Sequence, residues 1–209
     1  MATTRVVTIS ATYGAGGTVI APAVAQRLGL PFADRLIPVQ GSVRASGEAV
    51  DSAELASEPR SALSRSLAAW GGGWVIPMPV DVGDLPEQVR EQVETSIQTL
   101  VDTGGAVILG RAGAVVLAGK PHSFHVRLDG PEERRVQHGA TWEKVDLTTA
   151  QRHLEASDAA RSRYVRRLYR RDPADVSLYH LVLDSTVLPV DACVDLIASA
   201  AEAFWESER

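Results

Sequence analysis

Residues 5–10 of the chain read RVVTIS, a short apolar run of strand-forming residues. Four residues on, Gly14, Gly16 and Gly17 break the run, and Val19, Ile20, Ala23, Val24 and Leu28 then recur at helical spacing. The pattern predicts strand, glycine-rich turn and helix, with Gly29 as the helix cap and Pro22 tolerated near its start. LPFADRLI (30–37) predicts a short second strand ending at Asp34 and Arg35. After a weakly patterned stretch at 41–83, Val89, Val93, Ile97 and Leu100 mark a helix that starts with Asp84 as N-cap and ends near Gly104 and Gly105. AVILG (106–110) is apolar throughout, as suits a central parallel strand covered on both faces. SFHVRL (123–128) gives a fourth strand running into Asp129, followed by a helix from Pro131. One long helix is expected from Asp146 to about Arg171, a fifth strand in YHLVLDS (179–185), and a closing helix from Asp191 to about Trp205. Strands alternating with helices argue for an α/β fold, a sheet of about five parallel strands with helices on both faces.

The glycine turn is the first candidate for chemistry. A strand-to-helix bend exposes backbone N–H groups at a helix N-terminus, where unpaired donors and the helix dipole favour an anion, usually phosphate. Against the pattern G-x-x-x-x-G-K-[ST] the chain supplies Ala11, Gly16, Gly17 and Thr18, so the first glycine and the lysine are both missing. It also fails as a dinucleotide fingerprint, because Val19 stands where a third glycine belongs. The plain alternative is a tight turn that needs glycine and binds nothing.

Charged residues at strand ends come next. Asp34 and Arg35 follow the carboxyl end of the second strand, the edge where open parallel sheets bind ligands; a solvated pair is the alternative. Arg111 follows the third strand, where bidentate phosphate binding or a structural ion pair would each account for it. On the long helix, Leu154, Ser157, Arg161, Tyr164, Val165 and Leu168 share one face, which predicts an inward Arg161 in need of a partner. Arg163, Arg166, Arg167 and Arg170 form the opposing stripe, a solvated face or a lid surface attractive to polyphosphate. Arg134 and Arg135 could reach the same sheet edge, although arginines on a helix surface usually meet water.

Composition narrows the class. With 209 residues, 45% hydrophobic and 22% charged, the chain suits one α/β domain, with or without a smaller insert. A net charge of −5 argues against a general nucleic-acid binder. Only Lys120 and Lys144 among the 21 basic residues are lysine, so each arginine is weighed by position rather than by type. The single cysteine, Cys193, excludes an intrachain disulfide and is expected as core on the last helix. No apolar run is long enough to span a membrane and no signal peptide is visible, so a cytoplasmic protein is expected. Trp70 to Met78 form a loop too apolar for a free linker, with the body, a nucleotide-sized pocket or a second copy in a homodimer as its possible covers.

Taken together, TISATYGAGGTVIAPAVAQRLGLPFADRLI, VILGRAGAVVL, DGPEERR and DAARSRYVRRLYRRDPADVSLYHLVLDST resemble the cytidylate kinase-like family, a branch of the P-loop nucleoside monophosphate kinases. The resemblance covers most of the chain and is weakest over 41–83. It implies a three-layer P-loop kinase-like fold in a single domain, with an acceptor-binding segment at 41–83 and a helical lid at 146–176. It further implies transfer of the ATP γ-phosphoryl group to a (deoxy)cytidylate-type acceptor, with Mg²⁺ as cofactor. By the same resemblance, Gly14, Ala15, Gly16, Gly17 and Thr18 would hold the ATP phosphates, and Thr18 would also stand at the metal. Asp34, Arg35 and Arg111 would hold the acceptor. Thr18 replaces the arginine of GGR relatives, and Leu109 and Ala112 replace the two aspartates of DGRD, so the catalytic cation is expected from the lid, from Arg161, Arg166 and Arg167. A nucleotide-binding module that no longer catalyses, or a kinase for a small non-nucleotide acceptor, are the alternatives.

Overall fold

The computed structural model describes residues 4–34, 87–110 and 112–208. Its frame is a five-stranded sheet in the order β2-β3-β1-β4-β5, with every neighbouring pair parallel. The strands are β1 (Arg5–Ala11), β2 (Phe32–Asp34), β3 (Gly105–Leu109), β4 (Ser123–Asp129) and β5 (Leu181–Asp184). The helices are α1 (Gly17–Leu28), α2 (Glu87–Asp102), α3 (Gly113–Val116), α4 (Glu132–Glu143), α5 (Leu147–Tyr169) and α6 (Val190–Ser207). This is the expected α/β arrangement, with helices on both faces of the sheet.

Strand periodicity sorts the side chains into two unlike cores. On one face Val7, Ile9, Val107, Leu109, Phe124, Val126 and Leu128 pack with Ile20 and Val24 of α1 and with Cys193, Ile197 and Trp205 of α6. Cys193 is the core residue the sequence predicts. On the other face Val6, Ala106 and Ile108 meet Val93 and Ile97 of α2 and Leu117 beyond α3. Strand β3 is buried at every position, as its unbroken apolar run requires.

On β4 the second face is polar, carrying Ser123, His125, Arg127 and Asp129. His125 is 4% exposed. Its Nδ1 shares a hydrogen bond with the Thr8 hydroxyl at 2.8 Å. The His125 backbone N–H donates to His180 Nδ1 at 3.0 Å, and the two rings stack at 5.0 Å. Burial, helped by the neighbouring His180, pushes the His125 pKa down to about 4.

Helix ends follow local rules. Gly29 caps α1 in a left-handed conformation, φ 64°, its N–H reaching the Ala25 and Gln26 carbonyls. Asp146 caps α5 by accepting from the Thr149 N–H at 2.9 Å. The Asp84 cap and the readings for 41–83, including the Trp70 to Met78 loop, lie outside the described residues. So do Arg35 and Arg111. Among the described residues, no helix is long and apolar enough to cross a membrane.

Candidate functional site

The sheet order reverses at β1, which has β3 on one side and β4 on the other. A crevice therefore opens at the carboxyl ends of these strands, and the chain leaves β1 there as the turn Thr12–Gly16. Gly14 (φ 73°) and Gly16 (φ 74°) hold left-handed conformations, and Gly16 is the N-cap of α1 without a side-chain cap. Among the described residues, no hydrogen bond takes up the N–H groups of Gly14, Gly16, Gly17 or Thr18. These donors stand at the positive end of a 12-residue helix. The turn therefore fits a phosphate group, and the exposed Thr18 hydroxyl at the helix start fits a role beside a phosphate-bound cation.

The two departures from the P-loop pattern are coupled in space. A Cβ on Gly17 would lie 2.5 Å from the Ala11 Cβ and 3.2 Å from the Leu109 side chain. The methyl at the pattern's first position thus fills the room that a side chain at the lysine position would need.

The first half of the turn is fastened to the α4–α5 hairpin. The Tyr13 ring packs among Val136, Ala140, Ala150 and Leu154, tightly enough that Gly139 has no room for a Cβ. The Tyr13 N–H donates to Asp158 Oδ1 at 2.9 Å, and its carbonyl accepts from Arg135 Nη1 at 3.1 Å. Arg135, 8% exposed, also donates from Nη1 to Asp158 Oδ2 at 2.6 Å and from Nε to the Gly130 carbonyl at 2.9 Å. Asp129 at the end of β4 completes the group. Its Oδ1 accepts from the Thr12 hydroxyl and its Oδ2 from Arg127. Burial alone would raise the Asp129 pKa, but hydrogen bonds from the Gly130 N–H, Arg127 and Thr12 outweigh it and hold the carboxyl below its ordinary range. Ser185, beyond β5, donates to the Ala15 carbonyl at 2.8 Å.

Arg161 is not buried as its helical face predicts. Its side chain is 44% exposed, and its Nη1 donates to Asp158 Oδ1 at 3.2 Å. The face is buried at Leu154, Tyr164 and Val165 on either side of it, and the long Arg161 side chain reaches solvent from between them. The inward arginine is Arg135, which the sequence leaves undistinguished from its neighbour Arg134. Arg134 is partly exposed and pairs with Asp184 at 2.5 Å. Asp158 also escapes the sequence reading, although it falls on the face of Leu154 and Arg161 at spacings of four and three, which was the available signal. Arg163, Arg166 and Arg167 stand on the outer face, lining with Ala159 and Ser162 an open depression of about 590 Å³, and Arg166 pairs with Asp172 at 2.6 Å. Asp34 is exposed at the end of β2, opposite Leu109. Trp142, 38% exposed, projects from α4 over the turn, with its ring edge 3.2 Å from where a Gly16 Cβ would stand.

A parallel 2-3-1-4-5 sheet with a glycine turn after its central strand is the fold of the P-loop kinases. A gluconokinase from Sinorhizobium meliloti 1021 shares it with a TM-score of 0.54, at 13% identity over 99% of this chain and 97% of that one. So does a sugar kinase from Janibacter sp. HTCC2649, with a TM-score of 0.55, at 18% identity over 99% of both chains. An uncharacterized protein from Eubacterium ventriosum ATCC 27560 has a TM-score of 0.66, at 15% identity over 96% of this chain and 99% of that one. Within that class the chain belongs to the cytidylate kinase-like family, whose sequence model matches residues 6–187. It is 26% identical over 125 residues to a cytidylate kinase of Methanopyrus kandleri, a match spanning 56% of this chain and 65% of the relative's length.

Proposed function

We propose that the protein is a phosphotransferase that uses Mg²⁺-ATP and accepts the phosphoryl group on a nucleoside monophosphate of cytidylate type. The observation that carries this reading is the set of N–H groups at Gly14, Gly16, Gly17 and Thr18, aimed from a helix N-terminus into the crevice of a P-loop kinase fold. ATP supplies the γ-phosphoryl group, and Mg²⁺ neutralises charge on the nucleotide phosphates. Gly14, Gly16, Gly17 and Thr18 bind and orient the phosphates through the backbone, and the Thr18 hydroxyl would stand beside the cation; the buried Ala15, expected among them, donates its N–H to the Thr12 carbonyl at 3.2 Å instead. Arg161, at the edge of the turn, supplies positive charge from the hairpin in place of a loop lysine, with Arg166 and Arg167 further along the same helix. Asp34, Arg35 and Arg111 hold the acceptor in this reading, with 41–83 as the acceptor segment and 146–176 as the lid. The attacking phosphate oxygen is already anionic, so no strong general base is required.

The test is direct. Purified protein with Mg²⁺-ATP and each of CMP, dCMP, UMP and AMP is expected to form a diphosphate, fastest with CMP or dCMP. Absence of any diphosphate overturns the reading.

A second reading, nucleotide binding without transfer, is favoured by the Ala11 methyl, which leaves no room for a lysine side chain at position 17. Calorimetry that detects tight ATP binding where no turnover occurs would select it.

A further inference from the structure

The glycine turn has two halves, and the structure treats them differently. Beyond Tyr13 the Ala15 N–H is taken by the Thr12 carbonyl, but the N–H groups of Gly14, Gly16, Gly17 and Thr18 have no partner among the described residues, whereas Tyr13 in the first half has its N–H, carbonyl and ring all engaged by the α4–α5 hairpin. The centre of that engagement is one carboxylate. Asp158 Oδ1 accepts from the Tyr13 N–H and from Arg161, and Asp158 Oδ2 accepts from the buried Arg135.

We propose that Asp158 is a positioning residue for this site: it fixes the peptide at Tyr13 so that the following N–H groups converge on one point, and it holds the Arg161 guanidinium beside them. The inference rests on the phosphotransferase reading and adds to it two residues, Asp158 and Arg135, that act through others. The physical case is one of unequal bonds. The Arg135–Asp158 pair is short and nearly buried, and Arg135 satisfies two backbone carbonyls besides, so this bond resists exchange with solvent. The Arg161–Asp158 bond is longer, exposed on the arginine side and spaced i,i+3 on one helix, so it is weak and readily given up to a stronger anion. A polyphosphate at the turn is such an anion. Arg161 can then turn to it while Asp158 keeps Arg135 and the Tyr13 N–H, so the carboxylate is never left without a cation. The geometry of the turn and the placement of the lid cation are thereby set by the same side chain.

Calorimetric titration with Mg²⁺-ATP of the wild type, Asp158→Asn, Arg161→Ala and the double variant tests the coupling. Asp158→Asn retains an acceptor for the Tyr13 N–H but loses the charge. It is expected to weaken binding about tenfold, the scale of one charge-assisted hydrogen bond. Arg161→Ala is expected to do the same, and the double variant to fall less than twofold below Arg161→Ala. Unchanged affinity in Asp158→Asn, or effects that multiply independently, overturns the proposal. Hydrogen exchange at the Tyr13 amide supplies a readout that needs no nucleotide. It is expected to quicken at least tenfold in Asp158→Ala while the core amides of β1 hold their rates, and an unchanged rate at Tyr13 overturns the proposal. Wild-type protein that binds no Mg²⁺-ATP but shows this selective exchange would sink the phosphotransferase reading and leave the positioning of the turn standing.

Discussion

His125 and Asp129 stand on the same face of β4, separated by Arg127, and the protein holds them in opposite charge states. His125 is enclosed, its Nδ1 paired with the Thr8 hydroxyl, and it stays neutral because burial disfavours the imidazolium. Asp129, at the strand's carboxyl end, stays ionised because the Gly130 N–H, Arg127 and Thr12 all donate to it. The same strand face thus passes from a neutral polar interior to a charged cluster, and the charge gathers where the crevice opens. Arg135 and Asp158 join Asp129 at that end only.

The largest expected effect comes from cutting the charged cluster. Arg135→Ala leaves Asp158 and Asp129 short of a cation and three backbone or carboxylate acceptors short of a donor, so it is expected to destabilise the fold by about 3–5 kcal/mol. Urea unfolding measures it, with Arg135→Lys recovering part of the loss. A change under about 1 kcal/mol would mean that the cluster is solvated and that the contrast with His125 is false.

Acid separates the two clusters. Because the folded His125 titrates near 4 against an ordinary value of 6.5, the unfolded chain takes up a proton that the folded chain refuses. Stability is full above pH 6.5 and falls by up to about 3 kcal/mol as the pH drops to about 4. Asp129, with its pKa also lowered, acts in the same direction at lower pH: its contribution is present above the ordinary carboxylate value and is lost as the pH falls through the lowered folded value. Denaturant unfolding at pH 7 and pH 4.5 should therefore show a loss that His125→Gln reduces by more than half, the remainder coming from the neighbouring His180, whose pKa burial also lowers. A slope undiminished in His125→Gln would place the acid sensitivity elsewhere.

The smallest effect is expected from Thr8→Val. It removes the hydroxyl that pairs with His125 Nδ1 and should destabilise by about 1–2 kcal/mol, while raising nucleotide KM or lowering kcat by less than twofold. A large change in activity would show that the two clusters communicate along β4.

Much of the frame was legible in residue order. The RVVTIS strand, the glycine break, the Gly29 cap, the apolar β3 and the Asp146 helix start are local signals, and each matches an observed element. Arg161 and Arg135 show the limit. Periodicity put Arg161 on an apolar face and gave Arg135 no distinction from Arg134, yet Arg135 is the enclosed one, because its face of α4 meets Tyr13 and Asp158. Helical spacing states which residues share a face, not what lies opposite that face.

The sequence by itself determined a parallel α/β sheet, a helix N-terminus with unpaired donors after the first strand, and an arginine-rich helix near the other end of the chain. Those follow from propensity, periodicity and glycine geometry, which act within a few residues. Only the tertiary structure decided which charges meet. Tyr13, Asp129, Arg135 and Asp158 are distant in sequence, and their bonds exist because the crossovers of a 2-3-1-4-5 sheet bring the ends of β1 and β4 under the α4–α5 hairpin. It also decided that the missing loop lysine has no room to return, since Ala11 and Gly17 touch only once strand and helix are packed.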